Sequence, residues 1–536
     1  MPDRAYTHII VGGGTSGCVL AARLTEDAST NVLLLEAGGR DWHPYIHIPV
    51  GFSKITGGNL TWGYQTTPQV HASNRRIPYA QGRVLGGGSS INAEVFTRGV
   101  PADYDRWANE EGCTGWSFKD IQRYFIRSEG NTALANEWHG TDGPLGVSNI
   151  ANPQPLTRAF VMSCQQQGIP LNSDFNGAEQ AGTGYYQLNV VGGRRVSAAR
   201  GYLDPARGRK NLTILTGARA HRLTFDGHRA TGVEYELRGK IETATAEAEV
   251  IVTAGAIGTP KLLMLSGIGP AEHLREKGIE VRADVAGVGA NLSDHVNIDL
   301  VAELKNHLSL DKYKKPHWAA WAGLQYALFR SGPVASNVVE GGLFWYSGQD
   351  RSMPDLQFHF LSGAGAEDGV AGVAPGKSGI TLNCYGLRPK ARGSVRLLSA
   401  DPKAAPDIDP NFFGHPDDLR VTIEGLKLSR EVFAQPALAK HISRVVLPDD
   451  SIKSDDELSD FVRNHARTSY HPVGTCRMGS DDSAVVDPTM KVNGFSGLRI
   501  CDSSIFPSLI GSNTNAPTAM VAEKASDIIL GRGKIL

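Results

Sequence analysis

Six cysteines are few for 536 residues, and they are scattered. Cys18, Cys113, Cys164, Cys384, Cys476 and Cys501 form no CxxC pair and no cluster with histidine at metal-ligand spacing. A disulfide scaffold is therefore excluded, no metal site is expected, and a reduced compartment suits the chain. No uninterrupted apolar run reaches the roughly 18 residues that a membrane-spanning helix needs. The opening "MPDRAYTHIIVGGG" turns strand-like almost at once, which leaves no room for a secretory leader. Charge of one sign is lacking too. Lys and Arg number 54 against 55 Asp and Glu, a formal net charge of -1, with no long basic or acidic block. That argues against nucleic acid or an anionic membrane as the main partner. The expected location is the cytoplasm, with peripheral membrane association through a partner left open.

What is present is an ordinary globular balance, 41% hydrophobic and 20% charged residues, in a chain long enough for two or more domains. Its most specific early pattern is "THIIVGGGTSGCVLAARLTEDASTNVLLLEAGG". His8 to Val11 read as a buried strand running into Gly12, Gly14 and Gly17, spaced GxGxxG. A helical pattern follows from Ser16 to Leu24, then a second strand from Val32 to Leu35 that ends at Glu36. Such glycines allow a tight turn, close approach of the backbone to phosphate, and close helix–strand packing. The helix start offers unpaired N–H groups to a pyrophosphate. Glu36 stands where a carboxylate accepts hydrogen bonds from ribose hydroxyls. Dinucleotide binding follows; whether NAD or FAD does not.

"GRVLGGGSSINAEVFTRG", from Gly82 to Gly99, is neither a comfortable helix nor a strand. Its glycines suit backbone lying against something flat or charged, and Val84, Leu85, Ile91, Val95 and Phe96 point to burial rather than a flexible linker. "AEVIVTAGAIGTPKLLMLSGIG" repeats the strand–glycine–helix theme, with a strand from Val250 to Thr253, a turn at Gly255 and a helix from Pro260 to Leu265. Between about 300 and 460 the texture changes to aromatic runs ("HWAAWAGLQYALF") and alternating strands such as "PDLQFHFL". In the tail, "SYHPVGTCRMG" sets His471 before a proline, which biases that residue towards an extended backbone. A last helix is expected from about Pro517, with Asn513 and Asn515 just ahead of it. Local capping is an alternative role for either asparagine.

Taken together, these residues resemble the glucose–methanol–choline (GMC) oxidoreductases. "GRVLGGGSSINAEVFTRG" is similar to the family's first signature and "GAIGTPKLLMLSGIG" to its second, and "YHPVGTCRMG" and "NTNAPT" complete the likeness along the chain. The fold this implies is α/β. A Rossmann-like FAD-binding domain (1–150, 195–300 and 462–536) carries a cap domain built on an antiparallel sheet (151–194 and 301–461). The resemblance also implies site residues. Gly12, Gly14, Thr15, Ser16 and Gly17 would meet the FAD pyrophosphate, and Glu36 the ribose. Arg83, Val84, Gly87, Gly88, Asn92, Ala93, Glu94 and Val95 would line the flavin, Asp502 would meet the ribityl or pyrophosphate region, and Ala220 the adenine. Members with covalently attached flavin carry histidine where this chain has Ile91, so FAD is expected to be non-covalent.

The catalytic pair implied is His471 and Asn515. Neutral His471 would take the hydroxyl proton, Asn515 would donate an amide N–H to the developing alkoxide, and a hydride would pass to flavin N5. Likeness to the L-sorbose-oxidising dehydrogenases ("HIPVGFSKITGG", "SGPVASNVVEGG") implies oxidation of the L-sorbose C1 hydroxyl to L-sorbosone. Glu340, Gln357 and His359 are candidate sugar partners, with hydrogen bonding inside the sheet as their alternative role. The electron acceptor, a quinone, dye, redox partner or O2, stays open. So do the readings as an aryl-alcohol or hydroxymethylfurfural-type oxidase, as a polyethylene glycol or choline dehydrogenase, and as a hydroxynitrile lyase that shares the fold without the redox step.

Overall fold

Ile9 to Val11 and Val32 to Leu35 are buried throughout, the pattern of parallel strands covered on both faces. In the computed structural model, which describes residues 6–365 and 372–532, they do pair in parallel, with Ile9 opposite Leu33 and Val11 opposite Leu35. Strand Leu212–Thr216 extends the sheet on one side. On the other lies the long strand Lys240–Val252. Its last residues run parallel to both Tyr6–Val11 and Leu498–Ile500, while its first half forms an antiparallel meander with Arg229–Leu237 and Ala218–Asp226. Distant parts of the chain thus share one sheet. The first helix, Thr15–Leu24, packs against the last, Asn515–Ile529.

Two helices begin earlier than the sequence suggests. Helix Gly255–Leu265 contains Pro260 instead of starting at it. Asp502 caps its start, accepting from the Gly255 N–H (2.9 Å) and the Thr259 hydroxyl (2.6 Å). Proline in a helix deprives the carbonyl four residues back of its donor. Here that carbonyl belongs to Ala256, and the Thr475 hydroxyl donates to it at 2.6 Å. Pro517 lies in the first turn of Asn515–Ile529, where an N–H has no helical partner to lose.

The second sheet is antiparallel, ordered Ile442–Leu447, Val296–Leu304, Gly379–Gly386, Leu356–Leu361, Val339–Trp345, Gly182–Tyr185. Arg467–Thr468 also pairs with Val296–Leu304. One face, including Ile298, Leu300, Phe358, Leu382 and Cys384, joins a hydrophobic core to which helix Pro416–Ala434 contributes. The other face looks towards the first sheet. The domain limits expected at 300 and 462 fall inside strand Val296–Leu304 and helix Asp455–His465, and a hydrogen-bonded element is not divided there. The limits at 1 and 536 lie outside the described residues.

Candidate active site

A cavity runs between the two sheets, from Glu36 and Ala220 at one end to His359, Tyr385 and His471 at the other. Strand register builds its far wall. Asn297 stands opposite Tyr385, and Asp299 opposite Asn383, which is opposite His359; Thr381 is opposite Leu361. Residues two apart on a strand share a face, so one face of the second sheet presents Asn297, Asp299, Thr381, Asn383, Tyr385, His359 and Leu361 to the cavity. Asn383 Nδ2 donates to Asp299 Oδ1 at 2.7 Å, and Arg467 Nε lies 3.8 Å from Asp299 Oδ2.

His471 is delivered to this wall by a turn in which Tyr470 takes a left-handed backbone (φ 62°). Two consecutive residues then hold it. The Asp294 carboxylate accepts from the His471 backbone N–H at 2.8 Å, and His295 Nδ1 lies 3.0 Å from His471 Nδ1. Tautomers follow from the next contact. His295 Nε2 faces the Leu387 carbonyl at 3.0 Å, and a carbonyl only accepts, so Nε2 carries the proton. Neutral His295 therefore accepts at Nδ1, and His471 donates from its own Nδ1. His471 Nε2 is left with a lone pair.

Facing that lone pair, at 3.3 Å, is Nδ2 of Asn513. Its amide is oriented by the same logic. Tyr186 OH donates to the Phe358 carbonyl (2.8 Å), so it accepts from Gln357 Nε2 (3.1 Å), which also donates to Asn513 Oδ1 (3.0 Å). The Thr97 hydroxyl donates to the same oxygen at 2.9 Å. With Oδ1 occupied, Nδ2 must point at His471. Two main-chain carbonyls, of Leu387 and Phe358, thus fix both members of the pair.

Burial keeps the imidazoles uncharged. It pushes His295 and His359 down to about 3. His471 falls well below its ordinary value, mainly through burial and secondarily through His295 beside it. A neutral imidazole lone pair beside a fixed N–H donor can take a proton from a hydroxyl and hold the oxygen left behind.

The rest of the cavity fits an adenine dinucleotide. Glu36 Oε2 and Oε1 accept from the backbone N–H groups of Gly13 (2.8 Å) and Gly38 (2.6 Å), which fixes the carboxylate at the end of its strand. Burial raises its pKa and those two amides counter the rise. Helices Thr15–Leu24 and Asn515–Ile529 start at the cavity, neither with an acid in its first turn, so their N–H groups can meet phosphate, whereas the start of Gly255–Leu265 is taken by Asp502. Gly88 has no atom within 4 Å of where a Cβ would stand, so its surface lies open to a ligand.

Most cofactor residues expected from sequence line this cavity: Gly12, Gly14, Thr15, Ser16, Glu36, Gly87, Gly88, Asn92, Ala93, Glu94, Val95, Ala220 and Asp502. Gly17, Arg83 and Val84 do not. A Cβ on Gly17 would stand 1.9 Å from the Gly12 carbonyl oxygen, so that glycine serves helix–strand packing. The Arg83 guanidinium lies over the Trp62 ring, 5.2 Å from its centroid, and Val84 is buried in a small apolar cluster. The Glu94 carboxylate is buried 3.3 Å from Arg195 Nε, and burial pushes it up to about 7.

The partner of His471 differs from the expectation. Asn515 Oδ1 accepts from the Thr15 hydroxyl at 2.9 Å and ties the two helix starts together, so Asn513 is the carboxamide beside the imidazole. Two of the three candidate sugar partners stand outside the lining. Glu340 is 1% exposed and accepts from Gln154 N–H, Thr157 and Ser336, and Gln357 is 0% exposed behind Asn513. Only His359 reaches the cavity. Sequence reasoning missed Thr97, His295, Tyr385, Asn383 and Asp299. Of these, only the acid–histidine pair Asp294-His295 in "NLSDHVNI" carries a local signal.

The GMC oxidoreductase N-terminal family description matches residues 6–297 and the C-terminal one residues 389–522. The chain is a member of the GMC oxidoreductases, flavoproteins that act on alcohol-type donors. It is 42% identical to "Alcohol dehydrogenase [acceptor]" of Pseudomonas putida, over 98% of this chain and 96% of that one. It is 42% identical to "Oxygen-dependent choline dehydrogenase" of Rhizobium etli, over 98% and 95%. The crystal structure of pyridoxine 4-oxidase from Mesorbium loti superimposes with a TM-score of 0.90 at 30% identity, covering 99% of this chain and 100% of that one.

Proposed function

We propose that this protein oxidises a primary alcohol, with His471 Nε2 as the base and Asn513 Nδ2 as the donor that holds the alcohol oxygen. The observation that carries the reading is the enforced pairing of a neutral Nε2 lone pair with an amide N–H on the cavity wall, 3.3 Å apart. When bound, FAD supplies the hydride acceptor. Asn513 orients the hydroxyl, His471 removes its proton as charge builds on the oxygen, and the His295–Leu387 contact keeps that proton on Nε2 rather than Nδ1. Glu36, the two helix starts and the open face at Gly88 hold the dinucleotide. Nothing nucleophilic is offered at Ile91, so the attachment is non-covalent.

For substrate class we infer a polyol or sugar, with L-sorbose at its C1 hydroxyl as the particular candidate. Asn297, Asp299, Thr381 and Asn383 give the far wall donors and acceptors that a polyhydroxylated molecule needs on burial. The choline-type reading suggested by the Rhizobium relative is less well supported, because Arg467 lies 3.8 Å from Asp299 and offsets the carboxylate a quaternary ammonium would use. The electrons leave to a quinone or dye-like acceptor, and the enzyme works in the cytoplasm. An anaerobic screen of flavin bleaching over L-sorbose, other polyols, aliphatic and benzylic alcohols and choline tests this. Polyols should bleach the flavin fastest. Failure of every alcohol to bleach it rejects the alcohol-oxidising reading in favour of a lyase.

A further inference from the structure

Helix Pro316–Phe329, "PHWAAWAGLQYALF", is apolar without being buried. Trp318 is 40% exposed, Trp321 59%, Leu324 51%, Leu328 64% and Phe329 71%. Only Ala322 and Tyr326 of the helix are buried, and Tyr326 OH donates to the Gly193 carbonyl at 3.0 Å, which fixes the helix by its other side. At 100° per residue, the five exposed side chains fall within an arc of about 140°. They form one stripe, not scattered surface residues.

No charged residue occurs between Pro316 and Phe329, yet cations flank both ends. Lys312, Lys314 and Lys315 precede the helix and Arg330 follows it. The nearest acid in sequence, Asp311, is buried and already pairs with Lys314 at 2.7 Å. Lys312 Nζ stands over the Tyr313 and Trp318 rings, 5.0 and 5.6 Å from their centroids, beside the apolar stripe. Tryptophan, leucine and phenylalanine along one face with lysine and arginine at the margins is the composition of a helix lying in a lipid interface. A water-facing helix of this composition gains nothing from its exposed rings. Fourteen residues are also too few to cross the hydrocarbon, and among the described residues no helix is long and apolar enough to do so.

We infer that this helix docks the protein on the surface of an anionic phospholipid membrane. Trp318, Trp321, Leu324, Leu328 and Phe329 enter the headgroup–acyl boundary, and Lys312, Lys315 and Arg330 meet lipid phosphates, Lys314 being held by Asp311 and the Ala364 carbonyl. Docking there brings the membrane close to the cavity. The helix leans on Pro333–Ala335, which touches Pro49–Lys54, and Phe52 of that segment lines the cavity.

The test uses the FAD-loaded protein and lipid vesicles, either pure phosphatidylcholine or containing about three parts in ten phosphatidylglycerol, an anionic lipid. Co-sedimentation should show binding to the anionic vesicles, weaker binding to the neutral ones, and at least a tenfold loss at about 0.5 M salt. The double variant W318S/W321S should bind about tenfold more weakly or worse, since each ring carries a large apolar area. Its oxidation of a soluble alcohol with a soluble dye should stay unchanged, which shows that it is folded. K312E/K315E, which leaves the Lys314–Asp311 pair intact, should lose the preference for anionic lipid while keeping the weaker neutral binding. Three results overturn the inference: no binding of the wild type to anionic vesicles at low salt, undiminished binding by W318S/W321S, or a stable wild-type dimer in sedimentation that W318S/W321S breaks.

Discussion

Replacing His295 with alanine tests the arrangement around His471 most directly. His295 does two things to its neighbour: it accepts the Nδ1 proton, which leaves Nε2 basic, and it fills the space beside the ring, which keeps His471 buried and so uncharged. Losing a neutral hydrogen bond costs about 0.5–1.5 kcal/mol, so orientation and tautomer together should slow flavin reduction by about threefold to tenfold even where all imidazole is neutral. The larger effect is on pH. In the wild type His471 is held well below its ordinary value, so it stays neutral as pH falls towards 5.5 and the rate should change little. Without His295 a water-filled space adjoins the ring, burial relaxes, and the pKa returns towards 6.5. At pH 5.5 an imidazole of that pKa is only about a tenth neutral, so a further tenfold loss should open between pH 7.5 and 5.5 in the variant alone. Anaerobic stopped-flow reduction of the bound flavin reads both effects. A wild-type rate that already falls through pH 6.5, or a variant with the wild-type profile, would refute the reasoning.

Four further outcomes follow from the same contacts. Alanine at Asn513 should slow flavin reduction by about 10²–10³-fold with FAD still bound, as expected for loss of an oxyanion donor; alanine at Asn515 should instead loosen FAD or lower thermal stability through the lost Thr15 contact, with a reduction rate within about tenfold. His295 has a folded pKa of about 3 against an ordinary 6.5, so the unfolded chain takes up its proton first and stability present above pH 6.5 is lost as pH falls towards 3. At pH 5 that loss is about 2 kcal/mol, and denaturant titrations at pH 7.5 and 5 should show it shrink in His295→Gln. Acid precipitation should leave yellow FAD in the supernatant, since Ile91 offers no atom for a covalent link. Gly17→Ala should fail to retain FAD on a desalting column, because its Cβ would stand 1.9 Å from a carbonyl oxygen and push the first helix off its strand.

How far the site could be read in advance depended on how local its causes are. The glycine turn, Glu36 and the strand–helix–strand unit were legible because each is specified within about thirty residues, and a backbone that needs glycine announces it. His471 was legible from its motif. Its partner was not. Asn513 and Asn515 are two residues apart before the same helix, and what separates them is remote: Thr97 and Gln357 claim the Oδ1 of one, and Thr15 claims the side chain of the other. Alternation placed Gln357 and His359 on one face of their strand, but not the residue that would stand in front of one of them. Whole-chain charge is silent in a related way. A net charge of -1 averages over the surface and is blind to the three lysines and an arginine that flank an uncharged helix. Partner recognition is decided by the few square nanometres that touch, and those are set by which helix face the fold leaves uncovered. The exposed rings of Trp321 and Phe329 are therefore a property of the tertiary structure that the aromatic run in "HWAAWAGLQYALF" does not disclose by itself.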